Sequence, residues 1–174
     1  MLDRFKHIHT FIFDVDGVFT DGQVIAHPDG ELLRSFNIKD GYALQLAVKK
    51  GYHVAIISGS KGLSIEKRFA NLGVKDVYLS VGNKVEIMQS YLQQHNLSLE
   101  GVLYMGDDIP DLEAMKLVGL PTCPCDAVPE IKAISSYISS ETGGKCAVRD
   151  VIEKVLKLQG NWFDPNPKAS DSGQ

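Results

Sequence analysis

Phe11-Ile12-Phe13-Asp14-Val15-Asp16-Gly17-Val18-Phe19-Thr20-Asp21-Gly22 is the stretch from which the fold of this chain follows. Its apolar start suits a strand buried on both faces. The run ends in two carboxylates spaced i and i+2, then a glycine that frees the backbone to turn. Asp14 and Asp16 are therefore expected at the carboxyl end of a strand, the edge of an open α/β sheet where ligands bind. Two carboxylates held there call for a compensating charge such as a metal ion. That combination points to magnesium-dependent phosphoryl transfer.

Outward from this stretch, strand-like and helix-like segments alternate. Gln23–His27 and Glu31–Phe36 flank Pro28-Asp29-Gly30, so a β-hairpin is expected over 23–36. Apolar positions at Tyr42, Leu44, Leu46, Ala47 and Val48 predict a helix over 40–50, stopped by Gly51. Val54–Ile57 reads as a second buried strand running into the small-residue turn Ser58-Gly59-Ser60. The pattern then repeats, with helix over 63–72, strand over 77–79, helix over 84–95 and strand over 102–105. That last strand ends in Gly106-Asp107-Asp108-Ile109-Pro110-Asp111, a second acidic cluster, with Pro110 suited to the first turn of a helix reaching Leu117. Shorter segments follow: strand over 119–123, helix over 128–133, strand over 137–138 and helix over 146–158. The expectation is one α/β domain over 1–160, a Rossmann-like parallel sheet flanked by helices through right-handed crossovers. Residues 161–174, polar and carrying two prolines, are expected to be largely disordered.

Bulk properties narrow the function classes. The chain has 174 residues, 44% hydrophobic and 23% charged, which suits one soluble domain with a sizeable core. A formal net charge of −4, with no basic stripe, argues against nucleic acid and favours a small diffusible substrate. No apolar stretch is long enough to cross a bilayer, and no secretory leader opens the sequence. Three cysteines without framework spacing suit a reducing interior, and the cytoplasm is the expected location. Cys123-Pro-Cys125 and the scattered histidines show no metal-ligand spacing.

Four signals fall at or just after expected strand ends: Asp14-x-Asp16, Ser58, Lys84 and Asp107-Asp108-x-x-Asp111. A parallel sheet brings such ends to one edge. Taken singly, each has a plainer meaning: a turn, a solvated helix lysine, or acids capping a helix start. Taken in order, the set resembles the haloacid dehalogenase superfamily of aspartate-nucleophile phosphatases over roughly 5–158. That resemblance implies Asp14 as nucleophile, Asp16 as general acid and base, and Ser58, with Gly59 of the same turn, as phosphate ligand. It further implies Lys84 as the fixed cation and a Mg²⁺ ion held by Asp14, Asp16 and Asp107, with Asp108 and Asp111 in support. Asp111 either orients Lys84 or stabilises the next helix start. Proton transfer in both directions calls for a raised pKa at Asp16.

The intervals Asp14–Ser58 and Lys84–Asp107 leave no room for the cap domain that many superfamily members carry. Phe13-Asp-Val-Asp-Gly-Val18, Thr20-Asp-Gly22, Phe36-Asn-x-x-Asp40-Gly-Tyr42 and Thr142-Gly-Gly-Lys-x-Ala-Val-Arg149 resemble the capless phosphatases of 3-deoxy-D-manno-octulosonate 8-phosphate. This resemblance implies a keto-acid sugar phosphate as substrate and a homotetramer joined through the hairpins, with hairpin and Gly-Gly segment covering a neighbouring subunit's site. It makes Lys39, Asp40, Lys145 and Arg149 substrate-pocket candidates, although Asp40 equally suits a helix cap. One departure stands out: those enzymes usually read Ser-Gly-Arg or Thr-Gly-Arg where this chain has Ser58-Gly59-Ser60-Lys61. Serine does not replace a guanidinium's bidentate grip, so Lys61 becomes the candidate for the missing charge. A nonulosonate 9-phosphate phosphatase, a phosphotransferase or mutase, and a non-catalytic oligomeric binding protein remain as alternatives.

Overall fold

A computed structural model describes residues 2–163. Strand β1 (Thr10–Phe13) is buried along its whole length, as its unbroken apolar run requires. It lies at the middle of a six-stranded sheet, between β4 (His53–Ile57) and β6 (Val102–Met105). Beyond β4 comes β5 (Asp76–Tyr78); beyond β6 come β7 (Leu120–Cys123) and β8 (Tyr137–Ile138), and every pairing is parallel. The register sets Phe13 beside Ile56 and Met105, so β1, β4 and β6 end together. The residues that follow those strands share one edge.

Parallel neighbours need crossovers, and helices supply them on both faces. Phe11 and Phe13 point to one face, where they join residues of α1 (Leu2–Phe5), α2 (Ile38–Lys49), α3 (Leu63–Asn71) and α7 (Ala147–Leu158). Ile12 points to the other, meeting α4 (Lys84–His95), α5 (Leu112–Met115) and α6 (Pro129–Ile134). This alternation is the period of a strand, read on a segment apolar on both sides. Helices α2 and α7 pack directly on each other.

Asp40, for which a substrate pocket and a helix cap were both open, serves this helix pair. Its carboxylate, fully buried, accepts hydrogen bonds from the backbone N–H groups of Cys146 (3.2 Å) and Arg149 (2.7 Å), at the start of α7. These are donors that a helix cannot satisfy within itself. Cys146, at the N-cap position, makes no side-chain capping bond, so a residue of α2 caps α7. Burial, partly offset by these two bonds, raises the Asp40 pKa to about 6.

The hairpin is present in reduced form. Strands β2 (Ile25–Ala26) and β3 (Leu32–Leu33) pair antiparallel and form a sheet of their own. Val24, Ile25, Leu32 and Leu33 are all exposed. At the other end of the chain, Asn161 and Trp162, at the start of the segment expected to be largely disordered, pack against the domain. Trp162 meets Tyr42 edge to face, with Arg149 stacked over its ring, and Asn161 donates to the Tyr52 hydroxyl. An amphipathic tryptophan had a surface of α2 and α7 to cover, which the polar composition around it obscured. Residues 164–174 lie outside the described part. The expected helix at 111–117 is instead a 3₁₀ turn (Ile109–Asp111) followed by the short α5.

Candidate active site

Asp14 is the first residue after β1, anchored through its N–H to the Met105 carbonyl (3.1 Å). Its Oδ1 accepts from the Val15 N–H at 2.7 Å. Lys84 opens α4, where a cation faces the unfavourable end of the helix dipole and therefore needs acidic partners. It finds two: Nζ lies 2.9 Å from Asp14 Oδ2 and 2.7 Å from Asp111 Oδ1. Burial alone would lower the Lys84 pKa, but Asp111 and Asp14 outweigh it and raise it, so the lysine is a fixed cation.

Asp111 is fully buried and saturated with donors. Besides Lys84, the Tyr104 hydroxyl bonds Oδ1 at 2.9 Å and the Asp107 N–H bonds Oδ2 at 3.3 Å. Its geometry is that of a group orienting Lys84. Asp108 is exposed and caps the 3₁₀ turn through Ile109 N–H at 2.8 Å, so it takes the helix-start place open to acids at this position.

Carboxylate oxygens of Asp14, Asp107 and Asp111 lie within 4.8 Å of one another. Burial raises the Asp14 pKa to about 6, with the Asp111 charge adding to it. Asp107 is raised to about 7 by burial and then by Asp14 and Asp111. Such crowding of acids is a site short of positive charge, and a divalent cation between Asp14 and Asp107 fits it. The neighbouring backbone approaches Asp107 so closely that only glycine fits at position 17: at φ +77°, a Cβ there would lie 1.9 Å from Asp107 Oδ2.

Asp16 departs from expectation in two respects. Its carboxylate does not join the acidic cluster, because Arg34 and Ser60 hold it elsewhere. Arg34 Nε bonds Asp16 Oδ1 at 2.6 Å and a terminal nitrogen bonds Oδ2 at 3.0 Å, while the Ser60 hydroxyl also donates to Oδ2. Nor is its pKa raised. Burial pushes it up, but the hydrogen bonds from Arg34 and Ser60 outweigh that and hold it below the ordinary value.

Arg34 was not among the residues singled out from sequence. It follows β3, and its side chain is 4% exposed, with the guanidinium also bonding Ser60 Oγ at 3.1 Å. The sequence did hold a signal: a chain that lacks a guanidinium at position 60 invites a search for one elsewhere. Lys61, the expected substitute, is exposed. The cation beside Ser60 comes from the hairpin.

Ser58 is buried at the end of β4, where its hydroxyl accepts from Ser60 N–H at 3.2 Å, and Gly59 is exposed beside it. The segment after β8 meets the loop that follows Asp14 within the same chain. Gly143 lies so close to the Gly17 carbonyl that a Cβ would sit 2.0 Å from that oxygen, and Gly144 N–H donates to Val18 O at 2.9 Å. Lys145, next in line, is exposed. Lys39 and Arg149 line a separate cleft on α7 with Glu141 and Glu153, which none of Asp14, Asp16, Lys84 or Asp107 borders. Arg149 is engaged there by Glu153 at 3.0 Å.

Known proteins are similar to this chain in sequence and in fold. A family model described as haloacid dehalogenase-like hydrolase matches residues 76–152. The 3-deoxy-D-manno-octulosonate 8-phosphate phosphatase of Salmonella typhi is 36% identical over 160 residues, 92% of this chain and 85% of that protein. The crystal structure of the Yersinia pestis phosphatase of that name superposes with a TM-score of 0.90 at 33% identity, over 92% of this chain and 87% of that one. The Moraxella catarrhalis counterpart, in complex with magnesium ion, phosphate ion and KDO, gives 0.89 at 33% identity, over 92% of each chain.

Proposed function

Since the chain belongs to the haloacid dehalogenase-like hydrolases, as a phosphatase of that family, we propose that it hydrolyses 3-deoxy-D-manno-octulosonate 8-phosphate through an aspartyl-phosphate at Asp14. The observation that carries this reading is the convergence of Asp14, Lys84, Asp107 and Asp111 at the shared end of β1, α4 and β6, in a chain 36% identical to phosphatases of that name.

In the first half-reaction an Asp14 oxygen attacks phosphorus, the bond from phosphorus to the sugar oxygen breaks, and Asp16 gives that oxygen a proton. In the second, water attacks the aspartyl-phosphate, Asp16 takes the water's proton, and phosphate leaves with Asp14 restored. Lys84 offsets the charge on the phosphoryl oxygens, and Ser58 binds one of them. Asp14 and Asp107 would hold a Mg²⁺ ion, which would supply further neutralisation of that charge when bound. Asp16 bound to Arg34 and Ser60 is already the carboxylate that the second half uses. The first half requires Arg34 to turn away from it.

Self-association through the hairpin, to a homotetramer, belongs to the same proposal. An exposed apolar patch at Val24, Ile25, Leu32 and Leu33 supports it, as does a catalytic loop with no cap domain above it. The free cysteines Cys123, Cys125 and Cys146 suit a reducing cytoplasm. No described helix is long and apolar enough to cross a membrane.

Phosphate release measured on a panel of eight- and nine-carbon keto-acid phosphates and on neutral sugar phosphates tests the substrate. The octulosonate ester should show the highest kcat/KM, chelator should abolish turnover, and Asp14→Asn should lose at least three orders of magnitude. A preference for the nine-carbon ester would reassign the substrate, and an active Asp14→Asn would remove the covalent step.

A further inference from the structure

The hairpin delivers a guanidinium to Asp16, and the sequence motifs give it no task. Arg34 touches Asp16 with two of its nitrogens and Ser60 with one of them, and its remaining nitrogen donates to the Leu32 carbonyl at 2.9 Å. The last bond fixes the side chain to the hairpin's own backbone. The fork is thus carried by β3 and aimed at a carboxylate. Planar bidentate recognition is what arginine does better than any other side chain.

We propose that Arg34 is the specificity-determining residue of this enzyme, exchanging the Asp16 carboxylate for the carboxylate of an acidic sugar leaving group. This rests on the proposed function, in which Asp16 serves the leaving oxygen. A group bonded to Asp16 through both carboxylate oxygens then stands beside the leaving sugar oxygen that Asp16 serves. Both the resting and the substrate-bound partner are carboxylates, so the guanidinium remains paired and its burial remains compensated throughout. Ser60 fits the exchange, since its hydroxyl accepts from Arg34 while donating to Asp16 and bridges whichever arrangement is in place. The site around it is otherwise strongly acidic, with Asp14, Asp107, Asp108 and Asp111 nearby, and Lys84 is fully engaged by Asp14 and Asp111. Arg34 is a buried cation already paired with a carboxylate at this site, in place to receive a negatively charged sugar. A neutral sugar phosphate offers the fork nothing in return for Asp16, and a site built around a polar partner discriminates strongly against ligands that lack it.

The test compares kcat/KM for 3-deoxy-D-manno-octulosonate 8-phosphate with that for an aldopentose 5-phosphate, in the full chain with Mg²⁺, for the wild type, Arg34→Met and Arg34→Lys. The ratio of the two constants should fall at least tenfold in Arg34→Met, with KM for the acidic ester carrying most of the change. Arg34→Lys, which keeps the charge without the fork and disturbs packing least, should fall between. If the wild type prefers the acidic ester and both variants keep that preference, with equal losses on the two substrates, Arg34 only positions Asp16 and the hairpin, and the inference is overturned. A wild type that turns over both esters without preference overturns the substrate assignment itself, and with it this role for Arg34.

Discussion

Lys84 Nζ stands 2.9 Å from Asp14 Oδ2, so the candidate nucleophile and the candidate fixed cation are already paired before any substrate arrives. Lys84 is also the only group between Asp14 and Asp111 that keeps those two carboxylates from facing each other directly among the described contacts. Lys84→Met should therefore fail twice. Phosphate release should drop by at least two orders of magnitude, and stability should fall by about 3–5 kcal/mol, the usual consequence of removing one partner from a buried ion pair. Urea unfolding of the metal-free protein measures the second effect. A fully stable Lys84→Met would mean that Asp14 and Asp111 do not depend on it.

The crowded acids make metal-free stability depend on pH in an unusual direction. Asp14 and Asp107 have folded pKa values raised to about 6 and about 7 from the ordinary 3.8. A carboxyl raised on folding binds more protons in the folded state, so its stabilising contribution is fully present below the unfolded value. That contribution is lost as pH rises through the folded one. The melting temperature of the metal-free protein should thus decline by several degrees between about pH 5 and pH 8. Saturating Mg²⁺ should flatten the decline, because the cation favours the ionised forms. Differential scanning calorimetry with and without chelator checks this, and a metal-free melting temperature that rises across the same window would contradict it.

Asp40 leads to a prediction about stability alone. Asp40→Ala leaves the N–H groups of Cys146 and Arg149 without their acceptor inside the contact between α2 and α7, and should cost about 2–3 kcal/mol. Asp40→Asn keeps one acceptor oxygen and should cost less. Amide exchange at Cys146 and Arg149 should accelerate in Asp40→Ala before it does elsewhere. An effect on KM for the acidic ester without loss of stability would instead return Asp40 to the substrate pocket.

Gly143→Ala probes the contact across the catalytic loop. Its methyl would sit 2.0 Å from the Gly17 carbonyl oxygen, so one of the two loops must shift. A displacement of about 1 Å near reacting groups can cost a factor of 100 in rate. The expected result is a kcat lowered at least tenfold with the Mg²⁺ requirement intact, measured by phosphate release. Unchanged kinetics would show that the catalytic loop does not depend on this seat.

The architecture was readable from sequence because buried strands and amphipathic helices leave periodic traces, and the segments 84–95, 102–105 and 137–138 fall where periodicity set them. The strand-end acids were readable for the same reason: once Phe13 and Met105 are known to end parallel neighbours, Asp14 and Asp107 must share an edge. Arg34 was not, because its partners lie 18 and 26 positions away and the intervening hairpin has no periodicity that fixes its direction. The lowered pKa of Asp16 was hidden with it. Asp40 stayed open between two readings because a motif shows which residues recur together but not whether a carboxylate faces a ligand or the start of another helix. Trp162 was overlooked because its polar surroundings masked a single ring with a surface to cover.

The approach of Gly143 to the Gly17 carbonyl also orders events during synthesis. The loop after Asp14 is made more than a hundred positions before the backbone it rests against. At ordinary elongation rates of about 5–20 residues per second, that loop exists for roughly ten seconds without Gly143 beside it. A chain cut after Asp111 and before Gly143 would keep Asp14, Asp16, Lys84 and Asp107 yet lack the backbone that the loop after Asp14 rests against.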